Sequence, residues 1–367
     1  MREMSGRERA IRAMNFEPTD RLPIMANGLG SPGYVQRLTG LSDADYWADQ
    51  PAAHYRAMNR LGMDFNLQLW FPPRQEESRS WARAEVEEAR MPDVDEIVRD
   101  LERVTGEMEH TWTDLSVNSV ARESKIQAIC DYQRMQQKKM GDDLLWIFGM
   151  DAHGPADLGF PYGQYGYEGF FLACGLYPEV MEANWKAHSR LGRWHNECVA
   201  EAARRLDWPR IGYLGSDMTD QRGNMIAPEL MRSRFFPHLD HAIQPLVDAG
   251  FKLIWHSDGN MNDMIPPLID IGIAGFQGFQ EECGTHISDL AKRRNRNGDP
   301  LILWGSFSVT RVLIKGTFDE IRDEVQRILN EWPHPGLCFA TGSYISPDVP
   351  EANITELYRC FRQMGRR

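Results

Sequence analysis

The chain has 367 residues, of which 42% are hydrophobic and 26% are charged. These values are typical of a globular protein and exclude wholesale disorder. The sequence contains 41 Lys and Arg residues against 53 Asp and Glu residues, which gives a net charge of −12. An acidic balance of this kind argues against binding to nucleic acid or to an anionic membrane surface.

The sequence shows no sign of a membrane span or a secretion signal. No apolar run approaches the roughly 20 residues that cross a bilayer. The N-terminus is charged and has a helical pattern, without the apolar core and cleavage site of a signal peptide. None of the six cysteines forms a Cys-x-x-Cys pair. We therefore expect a cytoplasmic protein with reduced cysteines.

Short apolar runs alternate with helical patterns along most of the chain, which is typical of parallel strands joined by helices. The eight predicted strands cover residues 22–27, 65–71, 144–151, 211–217, 253–258, 273–279, 301–306 and 337–343. A capping box at Ser5 and Glu8 predicts a helix before the first strand. We predict one α/β domain, residues 1–367: a (β/α)8 TIM-type barrel with an N-terminal capping helix. An open doubly wound sheet is the alternative.

Two stretches depart from the simple alternation. Residues 74–139 are charged and fit it poorly, so we predict an insertion after the second strand that folds over one end of the barrel. Residues 154–175 are rich in Gly, Tyr and Phe. Glycine gives backbone freedom and aromatic rings give stacking surface, so this stretch is either a lid over the site or a packed loop at the rim.

The functional site of a (β/α)8 barrel lies at the C-terminal ends of its strands. Polar side chains at the predicted strand ends are therefore the candidates. Those predicted to bind substrate are Asn27, Trp70, Asp151, His153, Gln280 and Ser343. Those predicted to be catalytic are His256, Asp258 and Asp217, and the predicted metal ligands are His256, Asp258 and Glu282.

His256 and Asp258 are the most informative pair. At positions i and i+2 of a strand they share one face. A neutral imidazole beside a carboxylate suits a divalent metal such as zinc, and it equally suits a general acid–base pair. The alternative is a surface histidine beside a turn, since Asp-Gly-Asn follows directly. Asp217 and Asp220 after the fourth strand are either carboxylates with divided roles or a helix cap and a salt bridge to Arg222.

Four segments of the chain resemble the uroporphyrinogen decarboxylase superfamily. They are residues 4–25 (MSGRERAIRAMNFEPTDRLPIM), 215–260, 304–329 and 346–354 (SPDVPEANI). The resemblance implies a (β/α)8 barrel. True uroporphyrinogen decarboxylases carry an arginine-rich motif after strand one and an essential aspartate after strand two. This chain has ANGLGSPGY, without arginine before Arg37, and FNLQLWFPP, without aspartate. Both differences argue against the superfamily's namesake activity.

The other well-known branch comprises cobamide-dependent methyltransferases, which hold zinc with His-x-Cys on strand five and a Cys on strand eight. The matching positions here are His256, Asp258 and Ser343, so only the histidine is retained. A carboxylate and a hydroxyl in place of two thiolates shift the site toward harder ligands. Either a metal persists with Glu282 or Gln280 as a further ligand, or the metal has been lost.

The resemblance implies a methyltransferase or demethylase. It would move a methyl group between a small O- or N-methylated compound and a corrinoid or tetrahydrofolate. A corrinoid protein and a second copy of the chain are the implied partners, and zinc is the implied metal. One alternative is a decarboxylase or other lyase that uses His256 as proton donor on a small acid. Another is a non-catalytic barrel that docks a corrinoid protein.

Overall fold

The computed structural model describes residues 3–26, 28–66, 71–72, 93–278 and 280–366. Within these ranges eight parallel strands alternate with helices, so the α/β class predicted from the sequence is confirmed. Each strand overlaps one of the eight predicted runs. They are β1 Met25–Ala26, β2 Phe65–Asn66, β3 Leu145–Trp146, β4 Ile211–Gly215, β5 Lys252–Ser257, β6 Gly275–Gly278, β7 Ile302–Trp304 and β8 Leu337–Cys338.

The strands are neighbours in the order in which they occur along the chain. β1, β2 and β3 form one parallel sheet, and β4 to β8 form a second. An isolated parallel bridge between Phe148 and Gly212 connects the β3 side of the first sheet to β4. A second bridge, between Ile24 and Phe339, connects β8 to β1, where Met25 N–H donates to the Phe339 carbonyl at 2.8 Å.

Residues 28–33, directly after β1, have the Gly-x-Gly-x-x-Gly spacing of a dinucleotide-binding loop. That loop belongs to doubly wound sheets, in which the strand order reverses at the nucleotide site. The sequential order from β1 to β8 contains no such reversal among the described strands. The glycine spacing therefore does not indicate a doubly wound sheet here.

The helices begin largely at residues that accept hydrogen bonds from the first turn. Ser5 accepts from Glu8 N–H at the predicted helix start, and Thr317 and Glu320 form a reciprocal capping box. The helices are α1 Gly6–Met14, α2 Pro32–Thr39, α3 Asp43–Ala48, α4 Gln50–Leu61, α5 Val94–Leu115, α6 Ser119–Met140, α7 Tyr162–Tyr165, α8 Tyr167–Leu176, α9 Pro178–Leu206, α10 Pro228–Leu230, α11 Phe236–Asp248, α12 Ile265–Asp270, α13 Ile287–Leu290, α14 Phe318–Glu331 and α15 Glu351–Met364. A short antiparallel pair, Thr219–Asp220 with Gly223–Asn224, follows β4.

A second, smaller core lies between the strands and is separate from the core under the helices. Its members are Ala10, Met14, Met25, Phe65, Leu145, Ile147, Ile211, Tyr213, Ile254, Ile302, Trp304, Cys338 and Ala340. Residues of every described parallel strand except β6, or directly after it, contribute to this core, in alternation where a strand supplies two, because side chains alternate between the two faces of a strand. Ala10 and Met14 come from α1, and the Trp304 indole N–H lies 3.4 Å from Met14 Sδ. Helix α1 therefore caps one end of this core, as predicted.

An ion-pair network fixes α1 against the strands. Asp64, 1% exposed, precedes β2 and contacts Arg9 of α1 at 2.5 Å and Arg21 at 2.6 Å. Its Oδ2 also accepts the backbone N–H of Ile24 at 2.7 Å. Arg9 makes a second ion pair with Asp20 at 2.7 Å. Burial opposes ionisation of Asp20, but the hydrogen bonds and charge of Arg9 lower the pKa of that carboxyl to about 2.

The stretch predicted to be an insertion lies partly outside the described residues, at 74–92. Its remaining part forms α5 and α6, two long helices that pack against α9. Ile126, Ile129 and Cys130 of α6 are buried, and α6 leads directly into β3, against which it packs. Helix α6 is thus in the position of the helix that connects β2 to β3 in a β/α alternation. The insertion over residues 74–139 stays a prediction.

Among the described residues, none of the helices combines the length and the apolar composition needed to cross a membrane.

Candidate metal and catalytic site

Three of the predicted residues meet at the C-terminal ends of β4 and β5. Asp217, His256 and Asp258 each offer one ligand atom, and these atoms all lie within 4.8 Å of one another. His256 Nε2 is 3.8 Å from Asp217 Oδ1. The side chains are half-buried: His256 is 21% exposed and Asp217 is 31% exposed. A nitrogen and two carboxylates at this spacing are a donor set for a divalent cation.

The fold brings these residues together through the register of two adjacent strands. Gly215, the last residue of β4, pairs with His256 in β5. Asp217 follows two residues beyond Gly215, and its Oδ1 accepts the backbone N–H of Asp258 at 3.1 Å. The loop after β4 is therefore tied to the end of β5. The pairing accounts for the contact between residues that are about 40 positions apart in sequence.

Burial and neighbouring charge perturb the Asp258 carboxyl. Burial raises its pKa, and the negative charge of Asp217 adds to this effect while His256 opposes it. Asp258 Oδ1 is buried and has no hydrogen-bond partner among the described residues. A buried carboxylate oxygen without a donor is costly, so this atom is suited to receive a cation or a proton.

The opposite nitrogen of the imidazole is held by β6. His256 Nδ1 lies 2.7 Å from Gln277 Oε1, and the Tyr213 hydroxyl donates to the same oxygen at 2.6 Å. Gln277 is 3% exposed. Gln277 is one of the polar residues near the predicted end of the sixth strand, but neither Gln277 nor Tyr213 is among the site residues predicted from the sequence. The available signal was a single polar residue within a short apolar strand, which is ambiguous without knowledge of the strand order.

Two glycines give His256 the room it occupies. Gly278 has φ +104°, and a Cβ there would lie 2.5 Å from His256 Nδ1. Gly215 has φ +142°, and a Cβ there would collide with the backbone of His256. Only glycine adopts such backbone angles without strain and leaves this space free.

Replacing Gly278 with alanine is expected to displace the imidazole of His256 and so to lower the affinity for a divalent ion. The expected decrease is at least about 10-fold, because loss of the groups that orient a metal-binding histidine costs roughly 10–100-fold in affinity. Gly298→Ala is the matched control, because Gly298 also has a positive φ, +86°, but no atom within 4 Å of the added Cβ. Zinc titration of both variants measures the difference. Equal affinities would show that Gly278 does not set the position of His256.

Asp151 and His153 form a separate cluster after β3. The Tyr132 hydroxyl donates to Asp151 Oδ2 at 3.2 Å, and the Tyr132 ring stacks on His153 with centroids 4.1 Å apart. Burial raises the pKa of Asp151 and lowers that of His153. Within the described part of the chain, no hydrogen bond or ion pair connects this cluster to His256. Their substrate-binding role stays a prediction.

The remaining predicted residues have other contacts or lie outside the described ranges. Glu282 accepts hydrogen bonds from Ser308 and Thr310. Burial is the main cause of the raised pKa of Asp258, and the negative charge of Glu282 makes a smaller contribution in the same direction. It is not a member of the group of three whose ligand atoms converge. Gln280 accepts a hydrogen bond from Cys283, and the Ser343 carbonyl accepts one from Thr341. Asn27 and Trp70 lie outside the described residues.

The aromatic stretch 154–175 borders the site on one side. The Tyr162 hydroxyl accepts the backbone N–H of Asp217 at 3.2 Å, and its ring stacks on Tyr167 at 4.3 Å. Tyr167 is 50% exposed, whereas Phe160 and Phe170 are buried in the main core. Part of the stretch is therefore a packed rim, and part presents aromatic surface beside Asp217. Its movement as a lid stays a prediction.

Asp157 connects this aromatic stretch to β4 and was not predicted from the sequence. Its Oδ1 accepts Gly159 N–H at 2.9 Å and its Oδ2 accepts Gly215 N–H at 3.1 Å. Loss of contact with water raises the pKa of Asp157 to about 6. Because Gly215 pairs with His256, Asp157 links the position of the aromatic stretch to that of the site.

The part of the chain that contains the candidate site is similar to a known protein family. Residues 216–364 match the family described as Uroporphyrinogen decarboxylase (URO-D), and this segment contains Asp217, His256 and Asp258. The resemblance to that superfamily, noted from the sequence motifs, is therefore confirmed. A curated uroporphyrinogen decarboxylase from Pelobacter propionicus is 23% identical over 256 residues, which are 66% of this chain and 73% of that protein.

Comparison with solved structures extends the similarity to the whole chain at the level of fold. A structure described as a methyltransferase from Methanosarcina mazei superposes with a TM-score of 0.59 at 15% identity and covers 99% of each chain. A B12-independent methionine synthase from Shewanella sp. W3-18-1, in complex with selenomethionine, gives a TM-score of 0.37 at 10% identity over 64% of each chain. The second similarity is too low to support an inference.

Proposed function

We propose that the chain is a methyltransferase or demethylase on a (β/α)8 barrel. It moves a methyl group between a small O- or N-methylated compound and a corrinoid or tetrahydrofolate, at a site made by Asp217, His256 and Asp258. The sequential strand order and the bridges that connect β3 to β4 and β8 to β1 support the barrel. The site lies at the strand ends where barrel enzymes carry their chemistry.

The observation that carries the proposal is the convergence of one imidazole nitrogen and two carboxylates, whose ligand atoms lie within 4.8 Å of one another. In a neutral imidazole whose Nδ1 bears the proton, His256 Nε2 presents a lone pair to Asp217 Oδ1, 3.8 Å away. Asp258 Oδ1 completes the group and has no partner among the described residues. Facing donors of this kind repel each other unless a cation lies between them. The arrangement therefore supports a cation site.

One histidine and two aspartates form a donor set for a divalent metal, and this set differs from the thiolate-rich zinc site of the cobamide-dependent methyltransferases. His256 Nε2, Asp217 and Asp258 would hold the ion, and the unpartnered Asp258 Oδ1 is the atom that the ion would satisfy. Mixed nitrogen and oxygen donors bind zinc at roughly 2.0–2.2 Å and also suit other divalent ions. A bound divalent metal supplies Lewis-acid polarisation of a heteroatom. Glu282 would add negative charge near Asp258 without coordinating the ion.

The chain's own residues supply position and exclusion of water. Methyl transfer needs an in-line approach of the acceptor to the methyl carbon, so a fixed orientation contributes much of the rate. The stacked rings of Tyr162 and Tyr167 give an apolar wall beside Asp217. Burial raises the pKa of the Asp258 carboxyl, and a cation bound beside Asp217 and His256 would favour its ionised form.

The absence of an arginine-rich motif after β1 and of an aspartate after β2 weighs against the activity after which the URO-D family is named. The solved structure from Methanosarcina mazei, which has the same fold, is described as a methyltransferase, and our proposal extends that class of reaction to this chain. A separate corrinoid protein and a second copy of the chain are the partners that we propose.

Two measurements test the proposal. Elemental analysis after reconstitution with zinc is expected to find one divalent ion per chain. Incubation with reduced cobalamin and a panel of methyl ethers and methylamines is expected to form methylcobalamin, followed by its absorbance. A protein that binds no divalent ion after reconstitution contradicts the metal site. Release of CO2 from small acids without metal or corrinoid would instead support a lyase.

A further inference from the structure

The Gln277 side chain connects three strands at the level of the site. Its Oε1 accepts from His256 Nδ1 at 2.7 Å and from the Tyr213 hydroxyl at 2.6 Å. Its Nε2 donates to the carbonyl oxygens of Thr341 and Gly342, at 3.4 and 3.2 Å. Gln277 lies in β6, and its side chain contacts both His256 of β5 and the segment that follows β8. It is 3% exposed, so water does not compete for these contacts.

The orientation of the amide follows from its partners. The carbonyl oxygens of Thr341 and Gly342 accept hydrogen bonds and cannot donate them, so they require the NH2 end of the amide. The oxygen of Gln277 must then face Tyr213 and His256. The hydrogen-bond network therefore leaves one assignment for the two ends of this side chain.

The orientation of Gln277 determines the tautomer of His256. An amide oxygen only accepts hydrogen bonds, so the imidazole nitrogen that contacts it, Nδ1, must carry a proton. Tyr213 remains a donor as well, because burial raises the pKa of its hydroxyl well above the usual range and neighbouring Asp258 and Asp217 add to this effect. With Nδ1 protonated, the neutral ring has its lone pair on Nε2, which faces Asp217.

We infer that Gln277 is a positioning residue that locks His256 in the Nδ1–H tautomer and aims Nε2 at Asp217 and Asp258. Tyr213 donates a hydrogen bond to the same Gln277 oxygen. One part of the inference rests on the proposed function, namely that the tautomer favours metal binding through Nε2. The tautomer itself follows from hydrogen bonds within the chain. Partners of this kind fix a ligand's ring and raise its basicity, and their loss costs about 10–100-fold in metal affinity.

The variant that tests the inference is Gln277→Met, which keeps the length of the side chain and removes its acceptor and donor. The matched control is Gln326→Met, because Gln326 is exposed on α14 and contacts only Asn330 through its side chain among the described residues. Each protein is labelled with 15N-histidine. Long-range 1H–15N spectra then report which ring nitrogen of His256 carries the proton, with the resonance assigned from a His256→Gln variant.

The expected result in metal-free wild type is a protonated Nδ1 and a bare Nε2 in the neutral ring. In Gln277→Met both tautomers are populated, and zinc affinity falls by about 10–100-fold relative to Gln326→Met. A wild-type ring protonated on Nε2 overturns the inference. So does an unchanged tautomer in a folded Gln277→Met protein. If that variant does not fold, the wild-type spectrum still decides, and Tyr213→Phe provides a milder change at the same oxygen.

The experiment separates this inference from the proposed function. If the metal-free protein shows the Nδ1–H tautomer but no variant or wild type binds zinc, the positioning role stands and the metal site is wrong. If zinc binds to the wild type and to Gln277→Met with equal affinity while the tautomer is unchanged, the metal site stands and Gln277 does not position His256.

Discussion

Replacement of His256 with alanine is expected to abolish stoichiometric binding of a divalent ion and, with it, methyl transfer. His256 is the one nitrogen ligand of the converging group of three, and its loss leaves only two carboxylates. The affinity should fall by more than the roughly 10–100-fold that follows the loss of a ligand's hydrogen-bond partner. Zinc titration and the cobalamin assay measure the two effects.

The control for this prediction is His110→Ala. His110 is exposed on α5, far in sequence from the site, and its removal should change neither zinc binding nor activity. The thermal unfolding midpoint of His256→Ala should stay close to that of the wild type, because the Gln277 oxygen keeps its hydrogen bond from Tyr213. Full zinc binding by a folded His256→Ala protein would refute the site described here.

The largest effect on stability is expected from Asp64→Ala. Asp64 is almost fully buried and pairs with Arg9 and Arg21, and it accepts the N–H of Ile24. Its removal leaves the buried Arg9 guanidinium with one acidic partner fewer. Removing one member of a buried ion pair costs about 3–5 kcal/mol. Urea denaturation of the variant should show a decrease of that size in the free energy of unfolding.

Asp319→Ala is the control for this prediction, because it removes an exposed ion pair with Arg322. Exposed pairs contribute about 0–1 kcal/mol. The network around Asp64 lies beside α1, away from the strand ends that carry the site, so the folded fraction of Asp64→Ala should still bind zinc. Equal unfolding free energies for the two variants would show that the network does not stabilise the fold.

Much of the fold was predictable because its signals are local. Each strand is a short apolar run, and the helix starts at Ser5 and Thr317 have capping side chains that the sequence displays directly. The convergence of Asp217, His256 and Asp258 was also within reach, since all three follow predicted strands and strand ends share one side of the molecule.

The parts that could not be predicted depend on which strands are neighbours. Asp217 rather than Glu282 completes the group of three because β4 lies next to β5 and Gly215 pairs with His256. Gln277 contacts Tyr213 across 64 residues of sequence, and no local pattern encodes that contact. The imidazole of His256 has room because Gly278 lacks a side chain there, a relation visible only in three dimensions.

The separation of the Asp64 network from the strand ends has a consequence for engineering. The ion pairs that fix α1 and the residues that hold the candidate metal share no side chain. Ligands at the strand ends can therefore be exchanged while the framework keeps its stability. A chain with Asp258→Cys would offer a softer, sulfur-containing donor set on the same scaffold. One barrel would then allow the chemistry of hard and soft metal ions to be compared side by side.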